Sequence, residues 1–280
     1  MNITDSRGEV MMRDFSERIV RVPVLGTEVA VRVCGEGPDL LCLHATGHDG
    51  ADFDGIAAAF GDRYRVLAPD FPGHGQSGEM SAAADARVYA EVAAGVIDAL
   101  CDAPPVVLGN SIGGAAAILL AHEGRVRALV LCNPGGLIPL TPTVRRVTRM
   151  FSRFFAAGAR GAWWFVPAFR LYYRSVLPGA RVRRREISRT VANRAGVLSQ
   201  AWESFGRDDA DLRAAAAALD VPVLIAWARS DKAIRLDVCR PAIARIPDHR
   251  LHLFRGGHAA FLEDPEAFMP VLGEFLENIR

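Results

Sequence analysis

The chain has 280 residues, half of them hydrophobic and 23% charged, which suits one large α/β domain with an insertion or two small domains. Its formal net charge of +1 gives no overall electrostatic case for nucleic acid, and no stretch reaches about 18 uninterrupted apolar residues, so no membrane span is expected. Five scattered cysteines (Cys34, Cys42, Cys101, Cys132 and Cys239) show no metal-ligand spacing and read as reduced, buried thiols of a cytoplasmic protein.

In chain order, residues 1–14 read as a loose tail, without the apolar run of a signal peptide or anchor. Residues 18–24 and 28–33 alternate apolar and polar side chains around Leu25-Gly26-Thr27, the pattern of a half-exposed antiparallel hairpin. A short buried strand is expected at 40–43, a helix at 51–60 and a strand at 65–68, ending in the turn Pro69-Asp70-Phe71-Pro72-Gly73-His74-Gly75. An alanine-rich helix follows at 82–100, then a strand at 105–108, a helix at 112–122 and a strand at 126–132. From 137 to 206 the alternation stops, and the stretch is rich in Arg, Phe, Trp and Tyr without a convincing strand. It resumes with a helix at 209–219, a strand at 221–228, a helix at 235–246, a strand at 250–254 and a closing helix at 265–279. Eight strands alternating with helices imply a mostly parallel, twisted sheet with helices on both faces. The expected division is a core of 1–136 and 207–280 and a helical cap of 137–206.

The chemistry centres on Gly109-Asn110-Ser111-Ile112-Gly113, a G-x-S-x-G sequence between a buried strand and a helix, the context a nucleophile elbow needs. A serine hydroxyl is a weak nucleophile, so it requires a base and the base an orienting group. His258, after a strand and flanked by Gly256-Gly257, is the candidate base; Asp231, directly after the strand at 221–228, is the candidate orienter. Asp237 is the weaker alternative, because it falls inside the next expected helix. Loops at the C-terminal ends of parallel strands gather at one edge of the sheet, which lets these three meet. Oxyanion donors are expected from the backbone N–H of Ile112 and from the loop His44-Ala45-Thr46-Gly47, with Thr46 favoured. His44 is expected to pack beneath that loop, His74 to be structural, and His48 to line the pocket; His122, His249 and His252 read as surface or strand residues. His44 and His48 lie four apart but on a glycine-containing loop with no third ligand, so neither a metal nor another cofactor is called for.

These segments resemble the α/β-hydrolase superfamily over nearly the whole chain. LLCLHATGHDG resembles its oxyanion segment, VLAPDFPGHGQSG the turn after the fourth strand and VVLGNSIGG the elbow. ARSDKAI resembles the acid loop and FRGGHAAFLEDPEAF the histidine loop. Ala45 departs from the glycine that usually follows the histidine. The resemblance implies an α/β-hydrolase fold with a cap over a Ser111–His258–Asp231 triad. Serine at the elbow separates the chain from haloalkane dehalogenases and epoxide hydrolases, which use aspartate there. GNSIGG followed by NPGGL is similar to the meta-cleavage-product hydrolases, in which the asparagine before the serine helps bind substrate, as Asn110 would. A cap arginine of those enzymes matches loosely to Arg189, whereas Ala259 stands where they usually carry tryptophan. The expected activity is therefore hydrolysis of a small carboxylic ester, with C–C hydrolysis of a vinylogous 1,5-diketone acid second. A ligand receptor or non-hydrolytic lyase on the same scaffold is the alternative from another class.

Charge is uneven. Only Lys232 of the 33 basic residues is lysine, which reads as base-composition bias, and thirteen arginines fall between Arg145 and Arg194 against one acid, Glu186. Most of these arginines, Arg181-Val182-Arg183-Arg184-Arg185 above all, read as a solvated face open to an acidic partner or an anionic surface. One of them, with Arg189 the first choice, is expected to meet a substrate carboxylate. The implied partner is a small molecule, and the chain leaves a homodimer open beside a monomer.

Overall fold

The computed structural model describes residues 18–279, so the expected tail at 1–14 lies outside the described residues. Eight strands form one sheet: β1 (Arg18–Val24), β2 (Thr27–Cys34), β3 (Asp39–Leu43), β4 (Arg65–Pro69), β5 (Val106–Asn110), β6 (Ala128–Cys132), β7 (Val223–Ala228) and β8 (His249–Phe254). Their spatial order is β1-β2-β4-β3-β5-β6-β7-β8. β1 and β2 pair antiparallel with Val22 opposite Val29, and β2 is antiparallel to β4. Every pairing from β4 to β8 is parallel. The hairpin turns at Leu25 and Gly26, both with positive φ (49° and 75°), the backbone whose twist suits a two-residue connection. The central strands β5, β6 and β7 are buried along their whole length, as strands covered on both faces must be.

Ten α-helices lie among the described residues: α1 (Asp54–Phe60), α2 (Ala86–Leu100), α3 (Ile112–His122), α4 (Pro142–Ala159), α5 (Phe165–Val176), α6 (Arg181–Ser204), α7 (Arg213–Ala217), α8 (Leu236–Ile243), α9 (Ala260–Glu263) and α10 (Pro265–Asn278). Strand residues alternate between two cores. Val107, Leu129 and Ile225 face α2, α3 and α8; Leu108, Val130 and Leu224 face α1 and α10. α3 is apolar all round and buried from Ile112 to Ala121, which marks it as a central helix rather than a surface one.

Several boundaries shift by a few residues from expectation and one short helix is unexpected; three of these differences have a clear local reason. α2 begins at Ala86 rather than 82 because the Asp85 carboxylate accepts the Val88 N–H at 2.9 Å and caps the first turn. The helix expected at 209–219 shrinks to α7: Asp211 accepts the Arg213 N–H at 3.2 Å, and a 3-10 turn at Asp208–Ala210 precedes it. α9 has only four residues, too few to leave a helical period in the sequence.

Residues 137–206 contain no strand and carry α4, α5 and α6. α4 and α6 pack through aromatic side chains, with Phe151 stacked on Trp202 at 4.3 Å between ring centroids.

Candidate active site

The C-terminal ends of the parallel strands bring five segments to one edge. Ser111 follows β5, Asn133 follows β6, Asp231 follows β7, His258 follows β8, and residues 44–48 follow β3. At the elbow Ser111 has φ 56° and ψ −116°, a conformation that costs roughly 1–3 kcal/mol and persists only where the surroundings hold it. The surroundings do so through main-chain bonds: Ser111 N–H donates to the Cys132 carbonyl at 3.1 Å, and its carbonyl accepts from Gly135 N–H at 2.8 Å. The two elbow glycines are steric requirements. A Cβ on Gly109 would lie 2.4 Å from the Gly113 carbonyl oxygen, and one on Gly113 only 2.3 Å from that of Leu43.

His258 is buried and donates its Nδ1–H to Asp231 Oδ2 at 2.8 Å, which leaves Nε2 as the lone-pair nitrogen. Asp231 is fixed in turn. Its Oδ2 also accepts from Asn133 Nδ2 at 2.7 Å, and its Oδ1 accepts the N–H groups of Ala233 and Ile234 at 2.7 and 3.0 Å. Asn133 itself, at φ 42°, accepts the Ala228 N–H at 3.0 Å. Burial disfavours a charge on His258, but the Asp231 carboxylate more than offsets it, so the imidazole binds its proton more tightly than an ordinary histidine. Asp237 does none of this; it is exposed on α8 and pairs with Arg235. Glu263 accepts the N–H groups of Gly257 and His258 at 2.6 and 3.2 Å and so holds the histidine loop.

The loop after β3 is a tight turn. Ala45 C=O accepts the His48 N–H at 3.1 Å, and Gly47 takes φ 81° at the third position, as a type II turn needs. Beneath it, His44 donates Nδ1–H to Ala45 C=O at 2.7 Å and accepts the Phe71 N–H on Nε2 at 2.9 Å. His74 donates Nδ1–H to Pro72 C=O at 3.1 Å and accepts the Gly47 N–H on Nε2 at 3.0 Å. Both arrangements need a neutral ring, and burial lowers the proton affinity of both imidazoles. The Gly47 and His48 N–H groups are engaged in these bonds, and Thr46 lines the cavity together with Ser111. Ile112 is the first residue of α3, where an N–H has no intrahelical acceptor.

α6 reaches across to the same turn. Arg194 donates Nη1–H to the carbonyls of Gly47 and His48 at 2.9 and 3.0 Å, and Nη2–H to Asp49 Oδ2 at 2.9 Å. Arg183 donates to Asp49 Oδ1 at 2.5 Å and to Asp52 Oδ1 at 2.6 Å. Burial opposes ionisation of Asp49 and Asp52; the two arginines for Asp49, and His48 with Arg183 for Asp52, outweigh it and hold both carboxyls below the usual carboxylate range. His48 lies within this network, its Nδ1–H on Asp52 Oδ2 at 2.6 Å and its Nε2 against the Tyr173 hydroxyl.

Ser111, Thr46, Ile112 and His258 open onto a cavity of about 340 Å³. Its far wall comes from the insert: Phe151 and Phe155 of α4, Phe169 and Tyr172 of α5, and Leu198 and Trp202 of α6. Tyr172 and Tyr173 line it, whereas Trp163, Trp164 and Phe165 of the same aromatic stretch do not. Three binding candidates also lie elsewhere. Asn110 is buried behind the serine, and its amide donates to the Cys132 and His258 carbonyls, both at 2.9 Å. His48 has both ring nitrogens occupied and does not line the cavity. Arg189 is exposed on the outer side of α6 and is not part of the wall, because Ile187, Val191 and Leu198 take the inward positions. The lining cations are Arg87, Arg207 and Lys232; Arg207 pairs with Asp85 and Asp209, and Arg87 approaches Asp209 at 3.9 Å. Sequence reasoning missed Asn133, Glu263, Arg183 and Arg194. Only Asn133 left a trace, as the residue ending a strand before Pro134-Gly135-Gly136. Among the described residues no three His, Cys, Asp or Glu side chains gather to hold a metal ion, and no helix is long and apolar enough to cross a membrane.

A chain of this fold has counterparts among known proteins. The alpha/beta hydrolase family matches residues 40–271, and the chain belongs to it. It is similar to a 2-hydroxy-6-oxononadienedioate/2-hydroxy-6-oxononatrienedioate hydrolase of Cupriavidus pinatubonensis, 29% identical over 90% of this chain and 88% of that protein. It is likewise similar to a pimeloyl-[acyl-carrier protein] methyl ester esterase of Aeromonas hydrophila, 27% identical over 89% of this chain and 99% of that protein. Its fold matches the crystal structure of the enol-lactonase of Burkholderia xenovorans LB400, with TM-score 0.79 and 24% identity over 92% and 100% of the two chains. The protein is a hydrolase.

Proposed function

We propose that the protein hydrolyses carboxylic esters with an apolar acyl group, using Ser111 as nucleophile, His258 as base and Asp231 as its orienting partner. The observation that carries this reading is the shared cavity. Ser111 and the Asp231-held His258 open together onto a chamber whose insert-facing wall is aromatic and aliphatic. Ser111 Oγ attacks the ester carbonyl while His258 Nε2 takes its proton. Asp231 stabilises the imidazolium, which then protonates the leaving alcohol. The N–H groups of Thr46 and Ile112 hold the oxyanion, each contributing about 3–4 kcal/mol to the barrier reduction. Water then cleaves the acyl-enzyme by the same route in reverse order. Residues 137–206 act as a cap that excludes bulk water, over a core of 1–136 and 207–280. C–C hydrolysis is the second reading, supported by the Cupriavidus relative. It stands behind ester hydrolysis because both arginines in the wall face acids of this chain rather than an empty carboxylate position.

The test is a kinetic panel of aryl esters of increasing acyl length beside a vinylogous 1,5-diketone acid, with Ser111→Ala as control. The expected result is kcat/KM rising from acetate to medium-chain esters, with turnover abolished in the variant. Faster cleavage of the diketone acid than of every ester would replace this reading with the second.

A further inference from the structure

Between Glu123 and Glu186 the chain contains thirteen arginines and no aspartate or glutamate. Some of this charge is used internally: Arg183 meets Asp49 and Asp52, and Arg184 donates to the Leu177 carbonyl. The rest is not. Arg146, Arg149, Arg153, Arg160, Arg170 and Arg174 are exposed, and none has an ion-pair partner among the described residues. A protein of net charge +1 thus carries on α4 and α5 a concentrated positive charge that its own acids do not neutralise.

α5 shows what accompanies that charge. Phe165, Phe169, Tyr173 and Val176 recur at helical spacing and are buried. The opposite face carries Trp164, Pro167, Leu171 and Arg174 at the same spacing, flanked by Trp163 and Arg170. Trp163 is 88% exposed, Leu171 70% and Trp164 40%. A helix that buries one stripe ordinarily turns polar residues to water on the other. Here the outward stripe is itself apolar, interleaved with cations. Isolated exposed hydrophobes are common, but two tryptophans and a leucine along one basic helix face have the composition of a helix lying in a membrane interface. Indole rings favour the headgroup level, and arginines there meet lipid phosphates. An acidic protein would answer the arginines while leaving Trp163 and Leu171 in water.

We propose that the outward face of α5, with the Arg160–Trp164 corner before it, docks on an anionic lipid surface. Phe169, Tyr172 and Tyr173 on the same helix line the cavity, so α5 joins the lipid contact to the substrate chamber. The proposal is independent of the catalytic reading, because none of the docking residues lines the cavity or touches Ser111, Asp231 or His258.

The test is co-sedimentation of the whole protein with phosphatidylcholine vesicles, with and without about one-third phosphatidylglycerol, at low and high salt. Binding to the anionic vesicles is expected to be at least about tenfold tighter than to phosphatidylcholine alone, and to weaken with salt. Trp163→Ser with Leu171→Ser, and separately Arg170→Gln with Arg174→Gln, are each expected to lower that binding by about fivefold or more. All these positions are exposed, so hydrolysis of a short soluble ester serves as the folding control and should not change. Equal binding to both vesicle types, or none, overturns the proposal. So does anionic binding that survives the Trp163 and Leu171 substitutions, which would be adsorption by charge alone. Binding to polyglutamate without vesicle binding also overturns it and points to an acidic protein partner.

Discussion

The elbow at Ser111 and the turn at residues 45–48 sit side by side, yet they are held by different means. Ser111 is held by main-chain bonds to Cys132 and Gly135 and by contacts too close for any side chain at Gly109 or Gly113. The turn at residues 45–48 is held by side chains brought from far away, above all by Arg194, whose guanidinium spans the Gly47 and His48 carbonyls from 147 and 146 residues further along the chain. The geometry of Ser111, the proposed nucleophile, therefore belongs to the sheet, and that of the turn carrying Thr46, the proposed oxyanion donor, depends on the insert being seated. An elbow built from backbone is hard to loosen. A turn held by arginines can be loosened by one substitution without touching the serine.

The largest effect should come from the sheet-held half. His258→Ala is expected to lower kcat by roughly 10⁴-fold with the fold retained, measured on the best ester of the panel. Near wild-type turnover would remove His258 from the mechanism. Next comes the insert-held half. Arg194→Met leaves Asp49 with Arg183 alone and frees two loop carbonyls; breaking such a buried pair costs about 3 kcal/mol. If the comparison is right, kcat also falls by about tenfold to a hundredfold while KM changes much less, because a displaced Thr46 N–H weakens only the oxyanion. Stability lost in a urea titration with kcat intact would show that Arg194 supports the fold and not the turn. A smaller effect concerns pH. Asp231 raises the proton affinity of His258, so the acid limb of kcat/KM is expected above the ordinary histidine value of about 6.5. A limb at or below that value would mean that a different group limits the rate. The smallest effect is expected at Arg189→Met: its exposure on α6 predicts equal kinetics for a carboxylate-bearing ester and its methyl ester. A selective rise in KM for the carboxylate would restore the role first assigned to it.

The same contrast explains what could be read in advance. Local features were legible: the G-x-S-x-G turn, the apolar runs of β5 to β7, and Asp231 and His258 as loop residues at strand ends. These depend on steric rules acting over a few residues. Arg183 and Arg194 were illegible among thirteen arginines because only helix phase and packing decide which two turn inward. His48 and Asn110 carried polar groups at plausible positions, but Asp52 with Tyr173 engages both His48 ring nitrogens, and the Cys132 and His258 carbonyls engage the Asn110 amide nitrogen. Trp163 and Trp164 look like core aromatics by composition and lie outside because α5 begins at Phe165 and buries a stripe that excludes them.

The two neutral histidines beneath the oxyanion turn give the protein an order of failure in acid. His44 and His74 each accept a backbone N–H, and a proton on either accepting nitrogen would set donor against donor. Their proton affinities are lowered in the folded state, whereas the unfolded chain takes up protons near pH 6.5. Between that value and their folded ones the unfolded state therefore binds more protons, and stability declines as the pH falls. His258 is shifted the opposite way and charges first. On acidification His258, the proposed base, is thus protonated while the scaffold is intact, and the turn at residues 45–48 comes under strain only afterwards.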